Sequence, residues 1–156
     1  MDKFPTNHIV KIGIVVRDIE KAVQYYAKLF NIPAPEIHHP RDRKPEPETG
    51  NKPGSVFRGK TEVGQIITAV VKLEPIYIEL IQPLGGPSPW EEFIQQHGEG
   101  VHYMAFEAPS GFSDVENFMA QNGVPIYHKT EKGTQRYGYF ETHDKLGITM
   151  EFKEID

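Results

Sequence analysis

Twice along this chain the apolar residues change from the close run of a strand to the three-and-four spacing of a helix. KIGIVV (residues 11–16) is rich in β-branched residues and closes at Arg17-Asp18, after which Ile19, Ala22, Val23, Tyr26, Ala27 and Phe30 recur on one helical face. Asp18 stands where a helix N-cap belongs, and Asn31-Ile32-Pro33 ends the helix because proline cannot continue the hydrogen-bond ladder. VHYMAFE (residues 101–107) repeats the strand. Ser113 with Glu116 reads as a capping box, and Val115, Phe118 and Met119 line one face before Gly123-Val124-Pro125.

The second passage is a copy of the first. Val23, Tyr26 and Ile32-Pro33 match Val115, Phe118 and Val124-Pro125 at an offset of about 92 positions. With one extra residue allowed in the second strand-to-helix turn, Lys11 falls opposite His102 and Gly13 opposite Met104. Each copy ends in a strand with a central glutamate, Glu79 in YIELIQP and Glu151 in ITMEFKE. Further strands are predicted over 64–72 and 76–81 in the first copy, and over 135–141 and 147–153 in the second. The copies differ mainly in APEIHHPRDRKPEPETGNKPGS (34–55), which is proline-rich and charged, lacks periodicity and reads as a long loop. Ser88-Pro89-Trp90-Glu91 opens a short capped linker helix that Gly98 stops.

These elements predict an α+β fold of two βαβββ modules forming a cupped mixed sheet, within a single domain over 1–156. Module one runs over 8–83 with its insertion at 34–55, the linker helix over 88–97, and module two over 98–155. Neither module is large enough to bury a core unaided.

Composition narrows the function. At 156 residues, with 38% hydrophobic and 25% charged residues, the chain is an ordinary globular one. A net charge of -5, with Lys and Arg interleaved among acids, argues against nucleic acid as a partner. There is no cysteine, which leaves His, Asp and Glu to bind any metal. The N-terminal MDKFPTNHIVK has no apolar signal core and no stretch is long enough to span a bilayer, so the expectation is a cytoplasmic protein with no membrane partner.

Alternation along the strands aims Lys11, Gly13 and Val15 into the predicted cup, with His102, Met104 and Phe106 doing the same in copy two. Glu79 and Glu151 sit mid-strand, where an apolar residue would cost less unless the carboxylate has a partner. Glu79, His102 and Glu151 together would suit a divalent ion such as Mn, Co, Zn or Ni with positions left open for substrate. Tyr77, Tyr103, Tyr137, Tyr139, Phe57 and Phe106 are candidates for an aromatic wall.

These residues carry a family likeness. The run IELIQPLGGPSPWEEFI followed by GVHYMAFE resembles the vicinal oxygen chelate (glyoxalase, bleomycin resistance and dioxygenase) superfamily, built from paired βαβββ modules, and most of all its methylmalonyl-CoA epimerase branch. The likeness extends over the chain outside 34–55 and implies the glyoxalase-like fold. It also implies a metal site with ligands from the first and last strand of each copy, matched here by Glu79, His102 and Glu151. The fourth position departs from the pattern: it holds Lys11 where the family wants histidine, and His8, an odd number of residues upstream, faces the other way in a regular strand. Two readings compete for Lys11. In one the family's metal is bound; in the other the ammonium supplies part of the positive charge in its place.

The reaction implied is removal and return of a proton on the carbon next to a carbonyl. Lys11, Glu79 and Glu151 would be the catalytic groups and Gln65, Tyr103 and Tyr139 the substrate contacts, Gln65 standing where the epimerases place a further glutamate. Methylmalonyl-CoA or a phenolic ketone such as a dihydroisoflavone represents the small-molecule carbonyl partner. The alternatives are a non-catalytic binding or resistance protein and a glyoxalase I-like metal-dependent lyase. The likeness also implies a homodimer. His38, His39, Arg41, Arg43 and Lys44 in the insertion read as solvated, His128 as a surface strand residue and His143 as part of a turn.

Overall fold

The structure, a computed structural model, describes residues 1–42, 54–132 and 135–155. Among these it has nine strands and four α-helices, and they fall into two compact units. No helix among them is long and apolar enough to cross a membrane.

One unit comprises residues 11–44 and 64–102. It contains β1 (Lys11–Val15), α1 (Ile19–Phe30), β2 (Ile37–His38), β4 (Ile66–Lys72), β5 (Tyr77–Pro83) and α2 (Pro89–His97). Its strand order is β2-β4-β5-β1, with β1 parallel to β5 and the other neighbours antiparallel. The Asp18 carboxylate accepts from the Lys21 N–H at 3.1 Å and Gln82 Oε1 from the Ile19 N–H at 2.9 Å, so α1 starts where the sequence asks it to. Asn31, in the left-handed region at φ 51°, ends it. Ile19 and Val23 of α1 pack on Ala69, Val71 and Leu80, with Ile14, Val16 and Ile78 around them. The linker helix α2 also forms as predicted, with Ser88 Oγ accepting from the Glu91 N–H at 3.0 Å.

The other unit comprises residues 1–10, 45–63 and 103–156. It holds β3 (Gly54–Phe57), most of β6 (Gly100–Ala108), α3 (Phe112–Gln121), β7 (Ile126–Lys132), β8 (Gln135–Phe140), the short α4 (His143–Leu146) and β9 (Thr149–Glu154). Strand order is β6-β9-β8-β7-β3, with β6 parallel to β9 and the rest antiparallel. Phe106, Phe140, Met150 and Phe152 form the core under Phe112, Val115 and Met119 of α3. The two modules repeat one connection: the first strand pairs with the last, the last with the third and the third with the second.

Four expectations change. The insertion is not loop throughout: it contributes β2 and a 3-10 turn at Pro40–Asp42, and β3 begins inside it, while 43–53, with Arg43 and Lys44, lie outside the described residues. β2 is the missing second strand of module one, and β3 is extra, added at the edge of β7. The second strand of module two, β7, has no predicted bounds; His128 does lie on a strand there, but it is 1% exposed rather than on the surface. The capping box at Ser113 does not form. Helix α3 begins two residues earlier, with Gly111 as its N-cap, and Glu154 Oε2 accepts from the Phe112 N–H at 2.9 Å, freeing Ser113 to accept from Arg136 and Glu116 to meet Lys129.

Those freed groups pin α3 to its sheet. Lys129 Nζ lies 3.0 Å from Glu116 and 2.8 Å from Glu131, and both Lys129 and Arg136 stand over the Phe112 ring, at 5.4 and 4.8 Å from its centre. Gly138 lies beneath that ring; a Cβ there would collide with Ile126 Cδ1 and sit 3.1 Å from Phe112 Cζ. Gly138→Ala is expected to lower stability by about 1–3 kcal/mol through overpacking, read from the urea midpoint. Burial opposes the Lys129 charge, but the two carboxylates outweigh it and raise its pKa above the ordinary 10.5. A raised ammonium pKa stabilises the fold below pH 10.5 and the contribution disappears as pH climbs through the higher folded value. Between pH 9 and 12 the wild-type midpoint should therefore fall more steeply than that of Lys129→Met.

Candidate active site

In the first unit, alternation along β1 turns Ile14 and Val16 under α1 and leaves Lys11, Gly13 and Val15 on the opposite face. Along β5, Ile78 and Leu80 join that core and Glu79 faces away with Lys11. The parallel register sets Gly13 beside Glu79 and Lys11 beside Tyr77. Lys11 Nζ lies 3.7 Å from Glu79 Oε2, and the two side chains are 15% and 23% exposed. This is an ion pair that water and a ligand can still reach, not a locked hydrogen bond.

His102 and Gln65 lie in the same unit. The His102 ring, 2% exposed, packs on Phe93 of α2 at 4.7 Å, and Phe93 in turn meets His97 at 5.0 Å. Gln65 is exposed just before β4, where its carbonyl accepts from the Leu84 N–H at 3.0 Å. Beside it the Gly64 N–H donates to Pro87 O at 2.7 Å, a close backbone approach that Gly64 and Gly86 permit. Tyr77 is half exposed at the start of β5, and His8 is exposed.

In the second unit Met150, Phe152 and Phe140 point under α3, so Glu151 and Tyr139 face the other way. Register aligns Ala105 with Glu151, Glu151 with Tyr139, Tyr139 with His128 and His128 with Phe57, one row across five strands. Tyr103 is fully buried with its ring 5.0 Å from Tyr139; Tyr139 is 1% and Glu151 4% exposed. Of the predicted aromatic wall, Tyr103, Tyr137, Tyr139 and Phe57 lie on this face, joined by Tyr127 and His128. Phe106 is in the core under α3, against Phe4 at 5.1 Å.

The registers also correct the alignment of the copies. Gly13 pairs with Glu79 as Ala105 pairs with Glu151, so Lys11 corresponds to Tyr103, at the same offset of 92 that relates the two helices. The extra residue allowed at the second turn is not needed, and it had shifted the match to His102. Successive strand residues face opposite ways, so His102 and Tyr103 cannot both hold that position.

A divalent metal of the kind the sequence likeness implies does not fit these residues. Where the first strand of each copy should supply a neutral imidazole, one copy carries the Lys11 ammonium, ion-paired with Glu79, and the other a buried phenol. Among the described residues no three His, Asp or Glu side chains are gathered so as to hold an ion.

Residues 10–140 match the family model of the Glyoxalase/Bleomycin resistance protein/Dioxygenase superfamily. No functionally curated protein matches the chain. Among solved structures, a hypothetical protein from Bacillus halodurans C-125 superposes with a TM-score of 0.63 at 20% identity, covering 96% of this chain and 94% of that one. Methylmalonyl-CoA epimerase from Mycobacterium tuberculosis has a TM-score of 0.60 at 18% identity, covering 95% and 87%. The Streptomyces coelicolor methylmalonyl-CoA epimerase in complex with 2-nitronate-propionyl-CoA gives 0.60 at 18%, covering 94% and 95%. At such identities these structures share the fold. The duplicated βαβββ connection and the match over 10–140 together make this chain a member of the glyoxalase/bleomycin resistance protein/dioxygenase superfamily.

Proposed function

We propose that the chain is an isomerase of the epimerase or racemase kind, exchanging a proton on the carbon next to a carbonyl. The observation that carries this reading is the accessible Lys11–Glu79 pair at 3.7 Å. Glu79 is the base: its carboxylate takes the α-proton, the C–H electron pair moves into the C–C bond, and the carbonyl oxygen becomes an enolate. The Lys11 ammonium, a neighbour of that carboxylate, meets the developing oxyanion. A second proton donor, an acid or a water on the opposite face, protonates the same carbon and inverts the centre, and the proton held by Glu79 exchanges with solvent. Glu151, the repeat counterpart of Glu79, is a further candidate carboxylate, with Tyr103 and Tyr139 as the aromatic wall on its own face of the other unit.

The substrate is a small carbonyl compound with an acidic α-proton, an acyl thioester such as methylmalonyl-CoA or a phenolic ketone such as a dihydroisoflavone. The epimerases among the similar structures support the thioester, and the tyrosines on the Glu151 face support the flat ketone. A charged ammonium beside a charged carboxylate accomplishes this proton transfer without a metal Lewis acid.

Incubation with candidate thioesters and ketones in heavy water is expected to place deuterium at the α-carbon, and prior treatment with a chelator should leave the rate unchanged. Glu79→Gln should slow uptake by about 10²–10⁴-fold, the range for loss of a general base. Tight binding of the same compounds with no exchange would make the chain a binding protein instead.

A further inference from the structure

His128 is a buried ionisable group on the Glu151 face that the proposed reaction does not use. At 1% exposure it sits among rings, 5.4 Å from Tyr139, 5.9 Å from Tyr137 and 6.3 Å from Phe57. Its presence on this face is built in by a register shift. Ile126 pairs with Phe140 and packs under α3, and two residues later His128 would share that side in a regular strand. The irregularity between Ile126 and His128 turns the imidazole over to pair with Tyr139. The extra strand β3 then places Phe57 opposite His128, so a strand the other module lacks ends in the residue that covers the imidazole.

We propose that His128 is a positioning residue for Glu151, acting through Tyr139 in a buried imidazole–phenol–carboxylate row that β3 closes. Neighbouring strands are about 4.8 Å apart, so along the backbone Tyr139 stands one strand spacing from His128 and one from Glu151, and the His128 and Tyr139 ring centres are 5.4 Å apart. A phenol can donate to one neighbour and accept from the other, which couples the orientation of the carboxylate to the tautomer or charge of the imidazole. The titratable groups against the His128 ring are Tyr137 and Tyr139 from β8; β3 contributes the apolar Phe57 and β7 its own Tyr127 nearby. With Glu151 at 4% exposure and Tyr139 at 1%, solvent does little to screen the coupling.

The role of Glu151 in turnover rests on the isomerase reading; the row itself does not, and the test separates them. In the full-length ¹⁵N-labelled protein, the ring signals of His128 are assigned with His128→Gln and followed through a pH titration in wild type, Glu151→Gln and Tyr139→Phe. Loss of the carboxylate two strands away should lower the His128 midpoint by about one pH unit, at roughly 10 Å and an effective dielectric near 20. If the ring stays neutral across the range, its ¹⁵N shift pair should instead report a changed tautomer. Tyr139→Phe removes only the hydroxyl between them and leaves the Glu151 charge, so it should change the His128 tautomer or shift its midpoint by less, which keeps the test open should Glu151→Gln fold poorly. His128 signals that keep both midpoint and tautomer in the two variants overturn the proposal. In the exchange assay His128→Phe, which fills the same space, should lower kcat and leave KM in place, whereas a packing role predicts wild-type kcat. A wild-type protein that exchanges nothing would sink the isomerase reading and leave the titration arm to decide the row.

Discussion

The proposed chemistry depends on the placement of one cation beside one carboxylate. Lys11 and Glu79 meet because β1 runs parallel to β5 with Gly13 next to Glu79. An imidazole at position 11 could share a metal with Glu79; an ammonium cannot, since it has no lone pair to offer and repels the ion. The fold is that of a superfamily, but the charge at this point is supplied by the polypeptide itself.

The same pleat argument applied to the second copy gives a different surface. Tyr103 stands where Lys11 stands, and Glu151 is buried where Glu79 is only half-buried. Duplication has therefore preserved the backbone connection and both glutamates while letting their surroundings diverge: an accessible ion pair in one copy, a closed aromatic row in the other.

Much of the fold was legible in the chain. Caps at Asp18 and Ser88, the proline stops and the repeat of helix-facing residues are local signals, and the structure follows them because nothing tertiary opposes them. The site was legible in part. Glu79 and Lys11 could be placed on one face by alternation from Ile14 and Ile78, which is a rule of period two. His102 could not, because a single residue allowed at a turn exchanges the two faces of a strand, and an unbroken offset of 92 was the better guide. His128 was hidden for a related reason: the shift in β7 breaks the alternation that would have marked it, and the partner that covers it, β3, begins in a segment whose prolines and charges resemble a loop. Ser113 misled because Glu154, more than forty positions away, caps α3 in its place.

Chemical rescue examines the role of Lys11 most directly. Lys11→Met, kept free of divalent metal, should lose α-proton exchange and regain a large part of it when methylammonium is added, because a small cation can re-enter the space beside Glu79. Exchange that ignores the amine and returns only with manganese, cobalt, zinc or nickel would contradict the account.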